Sequence, residues 1–281
     1  MPTHQRNRRT KQRKTGRLGT GLTGAFTLAE LLTALAITGL IMAACVTLFT
    51  AAAGAFRLAD SRANLLQEGQ ACLDRIRRAV EAAYATAEMP GFLVLEHRVG
   101  GWDFPQTLIV WHPQGPVNSG RTRPFPNELV IFCPNPEAPE QLLEIRPAAA
   151  GGLCPLASDK DAWRAFVSTI LSTPGASRVV LTSRLRTAPT GDPLVPRRPG
   201  LFFFSTLRPS EADLAQFRAG TRSWKSLPWV HGIHGPQFGL RQHWLRIELQ
   251  LQNSGDAPAN TPQEIIPVFG SVAIYFGMPR S

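Results

Sequence analysis

The feature that most constrains this chain is a long apolar stretch close to its N-terminus. After Glu30 no charged residue occurs until Arg57, and only threonines interrupt the apolar run from Leu31 to Phe49. A helix of about twenty apolar residues is long enough to cross the hydrocarbon core of a bilayer. The stretch therefore predicts a single membrane-spanning helix.

Basic residues cluster on the N-terminal side of this stretch. Seven cations and no acid precede Phe26, namely Arg6, Arg8, Arg9, Lys11, Arg13, Lys14 and Arg17. Because positive charge beside an apolar segment stays on the cytoplasmic side, we expect a cytoplasmic N-terminus and an exported remainder. The chain has a net charge of +10, but without these seven cations 23 basic residues face 20 acidic ones. This small excess argues against a nucleic-acid-binding protein.

Two simpler interpretations of the apolar stretch stay open. One is an ordinary signal anchor. The other is a secretory signal peptide cut after Ala53-Gly54-Ala55, which has the small-x-small pattern of a cleavage site. A typical signal peptide has an apolar core of roughly 7–15 residues, which is shorter than this run.

A short motif stands where the basic leader meets the apolar stretch, Gly24-Ala25-Phe26-Thr27-Leu28-Ala29-Glu30. It resembles the cleavage and methylation motif of type IV prepilins and pseudopilins. In that family a small residue, usually glycine, precedes the cut, and Phe-Thr-Leu-x-Glu opens an apolar helix. The resemblance implies cleavage between Ala25 and Phe26, since Glu30 is then the fifth mature residue. A cut between Gly24 and Ala25 would make it the sixth. The resemblance also implies N-methylation of Phe26.

The spacing of Phe26 and Glu30 has a chemical consequence. An ionised carboxylate at the edge of an apolar span is costly unless it is paired or solvated. Cleavage would create an amino group at Phe26, and in a fibre the Glu30 carboxylate of one subunit could pair with this ammonium of a neighbour. Such a pair would set the axial register of the subunits. The simpler interpretation makes Glu30 an acid that the helix dipole favours at a helix N-terminus.

The resemblance implies a structural subunit, a minor pilin or pseudopilin, that assembles into a type II secretion pseudopilus or a type IV pilus. By size it is most similar to the J-type minor pseudopilin. The implied location is the inner (cytoplasmic) membrane, with a single span and the head in the periplasm or outside. The implied partners are a prepilin peptidase, other pilins or pseudopilins, and an inner-membrane assembly platform with a cytoplasmic ATPase.

Two further functions are alternatives. A tip pilin could bind DNA or a surface ligand, and its candidate residues are Arg222, Trp224, Lys225 and Trp229. The chain could also be a membrane-anchored envelope protein that never assembles.

The rest of the chain predicts an α+β fold shaped like a pilin lollipop. The resemblance implies that residues 1–25 form a leader that is removed, and 26–56 are expected to form the membrane half of a long helix. Residues 57–89 contain no proline, and their apolar side chains recur at helical steps, so they predict an amphipathic stalk half ending at Pro90-Gly91. The exported head, 90–281, should pack an antiparallel sheet on this helix.

The head contains eight short apolar or alternating runs that predict strands. They are 92–96, 107–111, 129–132, 142–145, 178–182, 201–204, 243–251 and 272–276. Two helices are predicted, over Asp159 to Leu171 and over Ser210 to Arg218, with Ser210 as a cap of the second.

The cysteines and histidines indicate no catalytic centre. Cys45 and Cys72 are expected to be small apolar fillers, whereas Cys133 and Cys154 bracket a proline-rich loop of the exported head. A disulfide between them would stabilise the head by roughly 3 kcal/mol, and the alternative is two free thiols. His231, His234 and His243 are the best metal candidates, but solvated loop histidines are the favoured interpretation. No nucleotide-binding or hydrolase motif occurs, so we predict no enzyme, no metal and no cofactor.

Overall fold

The structure is a computed structural model, and it describes residues 27–86, 88–99, 102–118, 120–148, 151–187, 202–207, 210–223, 226, 238–252 and 265–279. The chain divides into two compact units, Met1–Phe56 and Arg57–Ser281. The helices are α1 (Leu28–Glu81), α2 (Lys160–Ser172) and α3 (Glu211–Arg218), with a short 3-10 helix at Pro126–Glu128. The strands are β1 (Phe92–Val99), β2 (Trp102–Trp111), β3 (Leu129–Pro134), β4 (Leu142–Arg146), β5 (Ser177–Thr182), β6 (Phe202–Leu207), β7 (Phe238–Gln252) and β8 (Ile265–Pro279). The fold is therefore α+β, with one long N-terminal helix and antiparallel sheets.

The described part of the first unit is helical from Leu28 onward. Its large apolar side chains are exposed, among them Leu40, Phe49 and Phe56. This segment of α1 is long and apolar enough to be a membrane span.

In the second unit α1 ends at Glu81, so the prediction that the helix runs to Met89 is wrong for its last two turns. The chain leaves the helix because its backbone groups find partners outside it. The N–H of Tyr84 donates to the carbonyl of Trp111 at 2.9 Å, and the N–H of Thr86 donates to the carbonyl of Met89 at 2.7 Å. Gly91 then turns the chain into β1 with a φ of 85°, which a residue without Cβ adopts readily.

Five strands form the first sheet in the order β1-β2-β3-β4-β5, all antiparallel. Both faces of its centre are buried. Leu108 and Phe132 belong to the same cluster as the α1 residue Ile76, whereas Ile109 and Ile131 belong to a second cluster with Trp163 of α2. Burial on both faces explains why these strands read as continuous apolar runs rather than as alternating ones.

Three strands form a second antiparallel sheet in the order β6-β7-β8. Its inner face packs on α1 through residues such as Phe204, Ile247 and Val268. The outer face exposes Trp244 and Phe269. Buried and exposed side chains therefore alternate along these strands, as is usual in an antiparallel sheet with one solvent-exposed face. The prediction of one antiparallel sheet is thus corrected to two.

The predicted elements of the head are otherwise confirmed. All eight predicted strands occur, and β7 and β8 are much longer than their apolar runs. Both predicted helices occur within a residue of their expected limits. Asp159 caps α2 by accepting from the N–H of Ala162 at 2.9 Å, and Ser210 caps α3 by accepting from the N–H of Asp213 at 3.1 Å.

Candidate functional site at the start of the long helix

The first turn of α1 contains a reciprocal pair of side chains, Thr27 and Glu30. The N–H and the hydroxyl of Thr27 each donate to Oε2 of Glu30 at 3.0 Å, and the N–H of Glu30 donates to Oγ1 of Thr27 at 3.3 Å. This is a capping box, in which two side chains satisfy N–H groups that the helix itself leaves without partners. Thr27 therefore fixes where the helix begins and where the glutamate points.

The charge of Glu30 remains available despite these contacts. Both hydrogen bonds fall on Oε2, and within the described residues none falls on Oε1. The side chain lies at the N-terminal end of a helix, where the macrodipole favours a negative group. The site can therefore accept a cation at Oε1 without losing its cap.

The surface that follows Glu30 is chemically apolar even at its threonines. The hydroxyls of Thr33 and Thr38 donate to carbonyls four residues earlier, those of Ala29 at 2.5 Å and Ala34 at 2.7 Å. These hydroxyls are satisfied within the helix, as a segment in lipid or in an apolar bundle requires. In the sequence, Glu30 is the last charged residue before Arg57.

The interpretation of the sequence recognised Glu30 but not the role of Thr27. The signal was present, because Thr-x-x-Glu before an apolar run is the pattern of a capping box. Gly24, Ala25 and Phe26 lie outside the described residues. Cleavage at Ala25–Phe26, or at Gly24–Ala25, and methylation of Phe26 therefore stay predictions.

Cys133 and Cys154 are both buried in one apolar cluster of the head, and in this structure they are not bonded to each other. Burial raises the pKa of each to about 12, so both are protonated at neutral pH. Cys133 lies near the end of β3, opposite Leu143, whereas the N–H of Cys154 donates to the carbonyl of Pro124, ahead of that strand. A disulfide between them stays a prediction.

Of the three metal candidates, the structure describes only His243. His243 is buried in β7, where its ring stacks on Phe92 with centroids 3.9 Å apart and its Nδ1 lies 3.0 Å from the carbonyl oxygen of Pro90. His231 and His234 lie outside the described residues. Within the described part of the chain, no three His, Cys, Asp or Glu side chains lie close enough to hold a metal ion.

His243 also lines a groove of about 320 Å³ between β1 and β6, with Phe92 and Phe204 beside it and Glu96 and Lys160 among its polar residues. Besides this acid and this amine, the groove is lined by the hydroxyl residues Ser205 and Thr206.

Of the candidate ligand-binding residues of the head, the structure describes only Arg222. Arg222 forms an ion pair with Asp213 in the α3 region, and the Ser210 hydroxyl together with this guanidinium lowers the pKa of Asp213. Trp224, Lys225 and Trp229 lie outside the described residues.

One buried acid of the head connects α1 to the first sheet. The side chain of Glu144 on β4 is 2% exposed, and Nε of Arg75 on α1 donates to it at 2.6 Å. A second bond from Arg75 at 2.8 Å and one from Arg146 at 3.1 Å complete its partners. Burial raises the pKa of Glu144, but the two guanidinium groups outweigh burial and hold it below the ordinary value.

Comparison with known proteins identifies no relative. No protein-family model, no curated protein and no solved structure matches this chain.

Proposed function

We propose that this chain is a minor pilin or pseudopilin, a structural subunit of a type II secretion pseudopilus or a type IV pilus. The observation that carries the proposal is Glu30, held by Thr27 in the first turn of a helix that carries no further charge until Arg57. Together with the motif at Gly24–Glu30, this is the arrangement that the family uses for processing and assembly.

The proposed mechanism is transfer of α1 from the bilayer into a helical bundle. Both surroundings are apolar, so the exposed side chains from Leu31 to Phe56 lose no solvation when the helix moves from one to the other. After cleavage, the Phe26 ammonium of a neighbouring subunit would approach Oε1 of Glu30. Neutralising both charges in an apolar bundle favours one axial register over all others, because any other register leaves two charges without partners.

In this proposal the second half of α1 carries the head. Side chains of α1 such as Leu65, Leu73 and Ile76 are buried against both sheets, and Arg75 is bonded to the buried Glu144. A prepilin peptidase would process the chain, and an assembly platform with a cytoplasmic ATPase would extract it. The precursor would lie in the inner membrane with its leader in the cytoplasm.

Mass analysis of the N-terminus tests the processing step. Protein purified from native membranes should begin at an N-methylated Phe26 and lack residues 1–25. A chain that retains its leader, in cells that trim related precursors, would contradict the proposal.

Substitution of Glu30 tests the assembly step. Glu30→Gln should leave cleavage intact and lower incorporation into the fibre by about tenfold or more, since a neighbour's ammonium would be left without its counter-charge. Asp60→Asn is a matched control, because it removes an exposed acid from the same helix beyond the apolar stretch. Equal incorporation of both variants would contradict the pairing role.

Thr27 provides a second, independent variant. Thr27→Val keeps the shape of the side chain but removes the hydroxyl that contacts Glu30, whereas Thr27→Ser retains it. We expect impaired incorporation for Thr27→Val only. If both variants assemble normally, the capping box does not position the glutamate.

A further inference from the structure

The groove between β1 and β6 is lined by consecutive residues of both strands. On β1 these are the five residues from Phe92 to Glu96, and on β6 the three from Phe204 to Thr206. Successive side chains of a strand point to opposite faces of its sheet. Consecutive residues can therefore all line one groove only where the groove runs along the edge of the strand. The groove follows two strand edges and does not lie on a sheet face.

Both of these edges are open. β1 is the outermost strand of the five-stranded sheet and β6 the outermost strand of the three-stranded sheet, and no other described strand pairs with the outer side of either. An open edge presents a row of N–H and C=O groups that can pair with a further strand. The groove thus brings two such rows to one place on the head.

The pairing of β2 shows which backbone groups of β1 face the groove. The N–H of Trp111 donates to the carbonyl of Gly91 at 2.9 Å. Backbone groups of a strand alternate between its two sides, so odd-numbered residues bond to β2 as far as the bulge after Leu95. Phe92 and Val94 consequently direct their N–H and C=O groups away from β2, toward the groove.

The same reasoning applies to β6. The N–H of Gln252 in β7 donates to the carbonyl of Arg184 on the side of β7 away from β8. Even-numbered residues of β7 therefore bond toward β6, where they oppose odd-numbered residues such as Ser205. Phe204 and Thr206 direct their backbone groups away from β7, and both line the groove.

The side chains of the groove divide into a buried apolar part and a charged rim. Phe92, Phe204 and His243 are buried. Glu96 and Lys160 are exposed, and within the described part of the chain neither of them forms an ion pair. The rim therefore offers one negative and one positive charge to a ligand.

We propose that this groove binds an extended peptide segment of a partner protein, which adds to the free edge of β1 as a further strand. Donors and acceptors that alternate along a strand, at about 3.3 Å per residue, are matched by another extended backbone. The apolar side chains of the segment would contact Phe92 and Phe204. A basic and an acidic residue of the segment would pair with Glu96 and Lys160.

The size of the groove agrees with such a ligand. Its volume of about 320 Å³ lies at the lower end of the range of ligand sites, roughly 300–1,000 Å³, and suits a few residues of a peptide and not a folded domain. The proposal concerns the head alone and is independent of the processing and assembly of α1.

A peptide library tests the site. Random seven-residue peptides displayed on phage are selected on the full chain in detergent, and the enriched sequences are synthesised with a fluorescent label for affinity measurements by anisotropy. We expect sequences with alternating apolar residues, no central proline, and one basic and one acidic residue, because these form a strand that suits the groove.

A substitution in β1 tests pairing with its edge. Val94→Pro removes an N–H that faces the groove and leaves the bonds between β1 and β2 intact, as proline is tolerated on the free side of an edge strand. It should weaken binding of the enriched peptides by about tenfold, because the peptide loses a donor and meets the proline ring. Val94→Ala is the matched control. It shortens the side chain but keeps the N–H, and it should change the affinity by less than about threefold.

Methylated peptides give a second test on the unchanged chain. An enriched peptide is made with N-methyl groups on its odd-numbered or on its even-numbered residues. Since alternate residues of a strand bond to the same side, at least one of the two forms should bind about tenfold more weakly.

Substitutions on the rim test the charges. Glu96→Gln and Lys160→Gln should each weaken binding by about two- to fivefold, as expected for an exposed ion pair. Glu137→Gln is the control, because it removes an exposed acid of the head that does not line the groove.

Four results would overturn the proposal. They are no peptide enriched on the unchanged chain above the level retained by Val94→Pro, equal affinities of Val94→Pro and Val94→Ala with both folded by circular dichroism, full binding by both methylated forms, and an equal loss with Glu137→Gln. N-terminal processing and the incorporation of the Glu30 variants do not depend on this groove. Failure here therefore leaves the proposed function standing, and failure of the proposed function leaves the groove standing.

Discussion

Replacing Gly69 with alanine has two opposite effects on stability, a gain in helix propensity and a cost of overpacking. The packing around Gly69 determines which effect is larger. Gly69 lies in the interior of α1, where alanine is preferred to glycine by about 1 kcal/mol. It is also buried against the second sheet. A Cβ at this position would lie 2.7 Å from Cγ2 of Val268 and 2.9 Å from Cδ1 of Leu251.

Neither neighbour can retreat easily. Val268 is β-branched and stiff at χ1, and Leu251 is fully buried. Overpacking of this kind costs about 1–3 kcal/mol, so we expect Gly69→Ala to lower the free energy of unfolding by about 1 kcal/mol after the gain in helix propensity. For a unit of this size that is a fall in Tm of about 2–4 °C.

The assay is thermal unfolding of the full chain in detergent, followed by circular dichroism. Gly152→Ala is the control, since nothing lies within 4 Å of its added Cβ, and it should change stability by less than about 0.5 kcal/mol. Adding Val268→Ala to Gly69→Ala should recover stability relative to the sum of the two single changes, because the first contact is then relieved. A rise in Tm for Gly69→Ala alone would refute the reasoning.

Three further predictions concern the head. The pKa of Glu144 in the folded chain lies below its ordinary value. Its contribution to the free energy of unfolding is therefore complete above about pH 5 and is lost as the pH falls below about 4. Glu144→Gln should make the free energy of unfolding less dependent on pH in this acidic range. Cys133 and Cys154 should resist alkylation in the folded chain. After unfolding without reductant, alkylation should modify two of the four cysteines of the chain if Cys133 and Cys154 are bonded to each other, and all four if they are not. Ser210→Ala should cost about 1 kcal/mol in chemical unfolding, because the N–H of Asp213 loses its acceptor, whereas Ser210→Asp should retain most of the stability.

Local patterns predicted the elements of this chain well. Apolar and polar residues alternate in the strand at 243–251 because one face of its sheet is exposed to solvent. The second helix begins after Asp159 because this side chain accepts a hydrogen bond from an N–H of the first helical turn. The signals for each element lie within a few residues of one another, so they can be read from the sequence. The capping box at Thr27 and Glu30 is equally local, since the pattern Thr-x-x-Glu before an apolar run indicates it.

Contacts between distant segments could not be read in this way. The helix ends at Glu81 because Tyr84 finds a partner in Trp111, and the runs at 107–111 and 129–132 are continuous because helices cover both faces of their sheet. The end of the helix has no signature within residues 82–89, and a continuous apolar run indicates burial on both faces without showing which helices cover them.

The sequence alone therefore establishes the apolar helical stretch, the acid at its start, the capped helices and the eight strands. Short-range periodicity and capping residues specify each of these features. The division of the strands into two sheets and the bond between Arg75 and Glu144 arise from packing between segments far apart along the chain. Such packing depends on which surfaces meet, and no local pattern records that.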